Sequence, residues 1–303
     1  MGKNRIAVEC TRVVREAGDH VVLAVVDPAD DGRDGWQPSF RHAAEEAGIP
    51  TFDPPSINAP SAVARVRAVE PELTLSFQYA QILKAPVISA ATLATLNLHF
   101  GPLPRYRGVA PIAWALINGE RTMGVTLHHV DPGVDSGDIV FGAEVSISAE
   151  DTGRSLYEKC TDAAIQLWRD CYQRIRAGDI PRGVQDPARA LYYNRHSIDF
   201  SRRRIDWRWE AERLANWMRA LIFPPFQYPE FLWHEDVLSV AHFTWDRGLH
   251  PGRPGQVLSI DTAGVVVGVP GGRIVLKEIR GRDSVVSPQE WAERGLSLGV
   301  RLE

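Results

Sequence analysis

Apolar residues at Ile6, Val13 and Val14 fall at helical spacing between Gly2 and Ala17, whereas His20–Asp27 (HVVLAVVD) is a short β-branched run bounded by Gly18 and Pro28. Helix then strand is the reading. After a polar loop to about Gln37, the pattern predicts helices ending at Ala47 and spanning Ala62–Val69, and strands over Leu73–Phe77, Thr95–Phe100 and Met123–Val130. A helix at Pro111–Ile117 separates the last two strands. Strands alternating with helices predict an α/β domain, Rossmann-like, with a mostly parallel sheet flanked by helices on both faces.

A long helix is expected over about Thr152–Ala177, closed by Gly178, and an irregular Arg- and Tyr-rich stretch runs on to about Ile205. Beyond a short helix at Trp209–Leu221, Gly-broken β runs at Val237–Trp245, Gly255–Ile260, Val265–Val269 and Ile274–Ile279 predict a smaller C-terminal β-barrel-like domain of OB type. The expected boundaries are a first domain over 1–190, a linker over 191–208 and a small β-rich domain over 209–303.

Composition narrows the class. With 303 residues, 44% of them hydrophobic and 24% charged, the chain matches globular averages and has ample core material. It holds no run of 18 apolar residues and no signal-peptide pattern, so a cytoplasmic protein without membrane insertion is expected. Cys10, Cys160 and Cys171 match neither a disulfide framework nor a zinc pattern and read as reduced core thiols. The net charge of −4 provides no global field for a nucleic acid. The Met-Gly start lacks the Ser or Thr of a myristoylation signal, with Ile6 in its place.

Asn97 and His99, two apart in a predicted strand, project from the same face. Gly101 and Pro102 end that strand, at the carboxyl side of the sheet where α/β proteins bind ligands. An amide donor beside an imidazole suits acyl transfer, one group meeting a developing oxyanion and the other moving a proton. From the pair alone, a strand-capping Asn and a hydrogen-bonded core His are the favoured reading. The later loop Asp131–Asp138 (DPGVDSGD) offers a carboxylate that can orient His99; a solvated turn is the other reading, and the EF-hand spacing is absent. His128 and His129, adjacent in a strand, face opposite ways and cannot share a metal, so they read as ordinary strand histidines and no metal is expected.

Taken together, NLHFGPLPRYRG, PIAWALINGE, GVTLHHVDPGVDSGDI, YYNR and GRPGQVL occur in an order and spacing that resemble the formyltransferases using 10-formyltetrahydrofolate. That family includes methionyl-tRNA formyltransferase and the amino-sugar N-formyltransferases. The resemblance implies that Asn97, His99 and Asp135 are catalytic: Asn97 and a charged His99 stabilise the oxyanion, His99 handles the amine proton, and Asp135 orients the imidazole and raises its pKa. It places the pterin between the loop after Leu73–Phe77 and the Asp-rich loop, with Phe77, Ile82, Leu83 and Val134 as apolar contacts and Asp131 and Gly133 in the loop itself. Those apolar residues fit plain core positions equally. Tyr106 and Arg107 shape the adjoining loop or touch substrate.

Members of that family begin with a full strand ahead of the first Gly loop, whereas Met1-Gly2 stands in that loop. The resemblance therefore implies a missing strand and exposed sheet edges, and a form extended upstream by about eight to ten residues is expected to be more stable.

The acceptor is read from charge. The loop DPADDGRDGW sets Asp27, Asp30, Asp31 and Asp34 against Arg33, and residues 205–303 carry eleven Lys plus Arg against thirteen Asp plus Glu. Binding tRNA needs clustered cations, and Arg202, Arg203 and Arg204 form the one basic run noted. A small-molecule amine is favoured, a nucleotide-linked amino sugar first, with Tyr192, Tyr193, Arg195, Phe223, Phe226, Tyr228 and Trp233 as candidates to line its site through stacking and ion pairing. The same aromatics also fit a domain interface. Alternatives are methionyl-tRNA as acceptor, hydrolysis of the formyl donor by water, or a non-catalytic folate- or sugar-binding module. The C-terminal region is either structural or the docking surface of a homodimer.

Overall fold

Helix α1 (Asn4–Glu16) buries Ile6, Ala7, Cys10 and Val14, one face of a 3.6-residue period. The structure, a computed structural model, describes residues 1–303 apart from 34, 249–251, 282–284, 287 and 294. It divides into two compact units, the first comprising Met1–Pro111, Thr122–Ser146 and Tyr157–Arg195, the second Ile112–Arg121, Ile147–Leu156 and His196–Glu303.

In the first unit the chain continues through β1 (Ala24–Val25), α2 (Phe40–Glu46), β2 (Thr51–Phe52), α3 (Pro60–Arg67), β3 (Leu73–Phe77), α4 (Ala85–Ile88), β4 (Ala94–His99) and β5 (Arg107–Gly108). Then follow α5 (Pro111–Ile117), which from Ile112 on belongs to the second unit, β6 (Thr122–His129), β7 (Ile139–Ser146), α6 (Gly153–Arg176), which belongs to the first unit from Tyr157 on, and β8 (Tyr192–Tyr193). The sheet is mixed. β1 pairs with β2 and β3 with β4 in parallel, while β4–β6 and β6–β7 are antiparallel. Between β1 and β3 the ladder runs through Gly2, which bridges both Val26 and Phe77 in parallel. A Cβ there would lie 2.5 Å from the Phe77 carbonyl oxygen, so the position requires glycine. The run expected as a strand over His20–Asp27 forms ladders only at 24–26, where β2 and Gly2 meet it.

Register across β3, β4 and β6 decides which side chains share a face. Ser76 stands beside Asn97 and Phe77 beside Leu98; Asn97 faces His128 and His99 faces Thr126. Paired residues project to the same side. One face of the sheet therefore carries Leu96, Leu98, Leu127 and Phe77, whose ring packs edge-on against Trp168 of α6 at 5.4 Å. The other carries Asn97, His99 and His128.

The second unit contains α7 (Ala211–Leu221), β9 (Glu230–Trp233), β10 (Asp236–Arg247), β11 (Val257–Asp261), β12 (Gly264–Val269), β13 (Gly272–Arg280), β14 (Val285–Val286) and α8 (Pro288–Glu293). Its antiparallel strands run in the order β11-β12-β13-β10-β9, with β14 beside β13. Residues 299–303 join the two ends of that order. Leu302 N–H donates to the Gly255 carbonyl at 2.9 Å and Val257 N–H to Val300 at 2.8 Å, while Leu232 and Glu303 exchange backbone hydrogen bonds at 2.5 and 3.1 Å. The sheet thus closes into a small barrel around Val240, Val265, Val267, Ile274 and Leu276, capped by Leu214 and Met218 of α7. Register shifts between Val240 and Phe243 supply the bend in the long strand β10.

Candidate active site

β4 ends in His99, and the chain turns at once at Gly101. A side chain there would have its Cβ 2.6 Å from His99 Nε2 and 3.0 Å from the Tyr106 carbonyl oxygen. The space is needed because His99 Nε2–H donates to that carbonyl at 2.8 Å. The bond fixes the tautomer of the neutral ring: Nε2 holds the hydrogen, and Nδ1 is a bare acceptor 3.6 Å from Asp135 Oδ2. Asp135 Oδ2 accepts the Gly108 N–H at 2.8 Å. Tyr106 (φ 62°), Ala110 (φ 55°) and Asp135 (φ 51°) all hold left-handed backbone, a strain L-residues adopt where surrounding structure imposes it.

The third imidazole reaches the cluster from β6. His128 Nδ1 donates to the His129 carbonyl at 2.7 Å, leaving Nε2 to accept from Asn97 Nδ2 at 3.1 Å. The same Nε2 lies 3.5 Å from Asp135 Oδ1. One carboxylate therefore stands between two imidazoles, and an amide is held by one of them.

Burial is the largest influence on His99 and lowers its pKa below the ordinary 6.5; Asp135 pulls upward, His128 downward, and the Tyr106 hydrogen bond upward. The net direction is down. This corrects the expectation of a charged His99 raised by Asp135: the desolvation of an imidazolium outweighs the neighbouring anion. For Asp135, burial opposes ionisation, but the charge of His99 whenever that ring takes a second proton, together with the Gly108 N–H, holds it well below the usual carboxylate range. The resting site is an anionic carboxylate facing a neutral imidazole nitrogen that is free to take a proton.

Buried Gln185 braces this loop. Its Nε2 donates to the carbonyls of Asp135 at 3.0 Å and Gly137 at 2.6 Å, and its Oε1 accepts from Arg107 Nε at 3.1 Å and Nη2 at 2.6 Å. β5 pairs with β8 beside it, and the Tyr106 ring stacks on Tyr193 at 5.9 Å.

A family described as formyl transferase matches residues 7–170, and the formyl transferase C-terminal domain matches 197–295. The chain belongs to the formyl transferase family. A methionyl-tRNA formyltransferase of Geobacter metallireducens is 29% identical over 297 residues, 96% of this chain and 93% of that protein. A second, from Citrifermentans bemidjiense, is 29% identical over 92% of this chain and 87% of its own length. Among solved structures, an N-formyltransferase from Helicobacter canadensis in complex with folinic acid and dTDP-3-aminofucose aligns with TM-score 0.73 and 24% identity, covering 91% of this chain and 96% of that one. WlaRD, a sugar 3N-formyl transferase in the presence of dTDP and 5-N-formyl-THF, aligns with TM-score 0.75 and 22% identity over 93% of this chain and 96% of its own. These two likenesses concern the fold.

Within this formyl transferase, Asn97, His99 and Asp135 are brought together, and the other expected site residues are placed unevenly. Phe77 lies on the opposite face of the sheet from Asn97. Leu83 packs with Val25, Ile57 and Val87, and Ile82 is exposed. Asp131 folds back on its own loop, accepting Gly133 N–H at 3.1 Å and Ser136 Oγ–H at 2.8 Å; Val134 follows, partly buried. Arg107 engages Gln185, and Arg195 is exposed. Phe223 belongs to the second unit, its ring 6.1 Å from that of Phe226. His128, read from the sequence as an ordinary strand histidine, and Gln185, which the sequence did not single out, contact the cluster directly. The only sequence signal for His128 was its place in the strand preceding the Asp-rich loop.

The acidic loop also differs from its reading. Asp27 and Asp30 are buried, accepting N–H groups from Ala29, Ala80, Phe40 and Arg41. Asp31 and Arg33 remain exposed, and Asp34 lies outside the described residues. Among the described residues, no helix is long and apolar enough to cross a membrane and no metal-holding group of acids, His or Cys occurs.

Proposed function

We propose that this chain transfers the formyl group of 10-formyltetrahydrofolate to the primary amine of a nucleotide-linked amino sugar, with Asn97, His99 and Asp135 as its catalytic residues. The observation that carries the chemistry is the bare Nδ1 of a neutral His99, backed by an anionic carboxylate at 3.6 Å. As the amine nitrogen bonds to the formyl carbon, Nδ1 takes the proton the amine loses, and the new imidazolium is held between the Tyr106 carbonyl and Asp135. Asn97 keeps one Nδ2 hydrogen on His128 and donates the other to the formyl oxygen as negative charge grows there. When the bond from the formyl carbon to the departing folate nitrogen breaks, His99 returns its proton to that nitrogen. A neutral amide and an imidazole suit a neutral formamide donor. The buried Tyr79 hydroxyl, which has no hydrogen-bond partner among the described residues, stands in the loop leaving β3 and suits the polar edge of a pterin.

Support for a small acceptor comes from the second unit's arginines. Arg203, Arg208, Arg247 and Arg273 pair with Glu230, Asp206, Glu212 and Asp246, and Arg202 with Asp199. Cations already paired to carboxylates release few counterions from a phosphate backbone. The Helicobacter canadensis structure, with its amino-sugar nucleotide, favours the same reading. The names of the two 29% identical relatives favour methionyl-tRNA instead. Incubating the protein with 10-formyltetrahydrofolate and either a panel of nucleotide amino sugars or charged initiator tRNA separates the two. Tetrahydrofolate release that follows an amino sugar is the expected result; release that follows only the tRNA overturns the acceptor assignment, and formate release without acceptor makes the chain a hydrolase.

A further inference from the structure

We propose that His128 is a positioning residue for Asn97, an inference that rests on the formyl-transfer reading above. The antiparallel register sets the two residues directly opposite each other. With Nδ1–H committed to the His129 carbonyl, Nε2 presents a lone pair to Asn97 Nδ2 at 3.1 Å. A donor at that position would repel the amide's N–H, so the lone pair determines which end of Asn97 faces His128 and which remains for the formyl group.

The test compares wild type, His128→Gln and His128→Leu with whichever amine the wild type formylates. Leu cannot accept the Asn97 N–H, so kcat should fall about tenfold to a hundredfold, with KM for either substrate changed less than about threefold. Gln keeps an acceptor oxygen and should recover most of the lost kcat. A His128→Leu enzyme with wild-type kcat overturns the proposal, as does a His128→Gln enzyme no faster than His128→Leu. If circular dichroism shows His128→Leu unfolded, His128→Gln decides alone: kcat near wild type supports the proposal, and a fall of about tenfold or more with unchanged KM overturns it. A wild-type protein that formylates no amine overturns the underlying reading instead, a result distinct from an active enzyme indifferent to residue 128.

Discussion

Two Asp-rich loops of the first unit, 27–36 and 131–138, look alike in sequence and differ in what their carboxylates face. In the first, Asp27 accepts backbone N–H groups from Ala29 and Ala80, and Asp30 satisfies Phe40 and Arg41 at the start of α2, where Ser39 also caps His42. Those donors are the orphan amides of a turn and a helix N-terminus. In the second, Asp131 plays a similar local part, but Asp135 accepts a single backbone N–H and otherwise faces two imidazoles. A carboxylate satisfied by amides stabilises a fold. One left facing titratable rings can follow a proton.

The sharpest way to break this contrast is at the second loop. Asn97→Ala or His99→Ala should lower kcat by about a hundredfold to a thousandfold, or roughly 3–4 kcal/mol of transition-state stabilisation, and Asp135→Asn should fall in the same range, each with a native circular dichroism spectrum. Near-normal formylation by any of them would remove the cluster from catalysis. At the first loop the pattern should invert. Asp27→Ala strands two N–H groups and should destabilise by about 1–3 kcal/mol per donor left unpaired, read by urea unfolding, while kcat of the folded fraction stays at wild type.

Stability against pH sharpens the comparison further. The folded pKa of His99 is below its unfolded value of 6.5, so its contribution is complete above that pH and is lost as pH falls toward the folded value. Asp135 acts likewise below 3.8. Unfolding midpoints taken from about pH 8 to about pH 4 should therefore decline from near 6.5 downward, and His99→Gln should flatten the first part of that decline. An unchanged slope would contradict a neutral buried His99. The smallest effect is expected from Gln185→Leu, which frees the Asp135 and Gly137 carbonyls and Arg107: a loss of about threefold to tenfold in kcat, as one or two hydrogen bonds allow.

Elements whose signal lies within the element itself were legible in the sequence. β3 and α5 occupy the residues their periodicity predicts, and α6 and α7 nearly so. β7 went unread because, as an edge strand of the sheet, its IVFGAEVS run buries few positions and is interrupted by Gly142. The position of Asn97 beside His99 followed from the two-residue period of one strand. His128 did not, because it meets Asn97 through a register between strands 31 residues apart. Asp27 was misread as surface charge for the same reason, its acceptor role being completed by Ala80, 53 residues away. Which face Phe77 takes was not legible either, because proximity in sequence to a strand end says nothing about face, and pairing with Leu98 does.

The last five residues have a consequence for handling the protein. Residues 299–303 hold the open edges of both β9 and β11 through backbone hydrogen bonds. Cleavage before Gly299 would uncover two strand edges at once, each a template for pairing with another chain. A trimmed preparation should therefore form soluble aggregates, visible by light scattering, even while the cluster of Asn97, His99 and Asp135 remains intact.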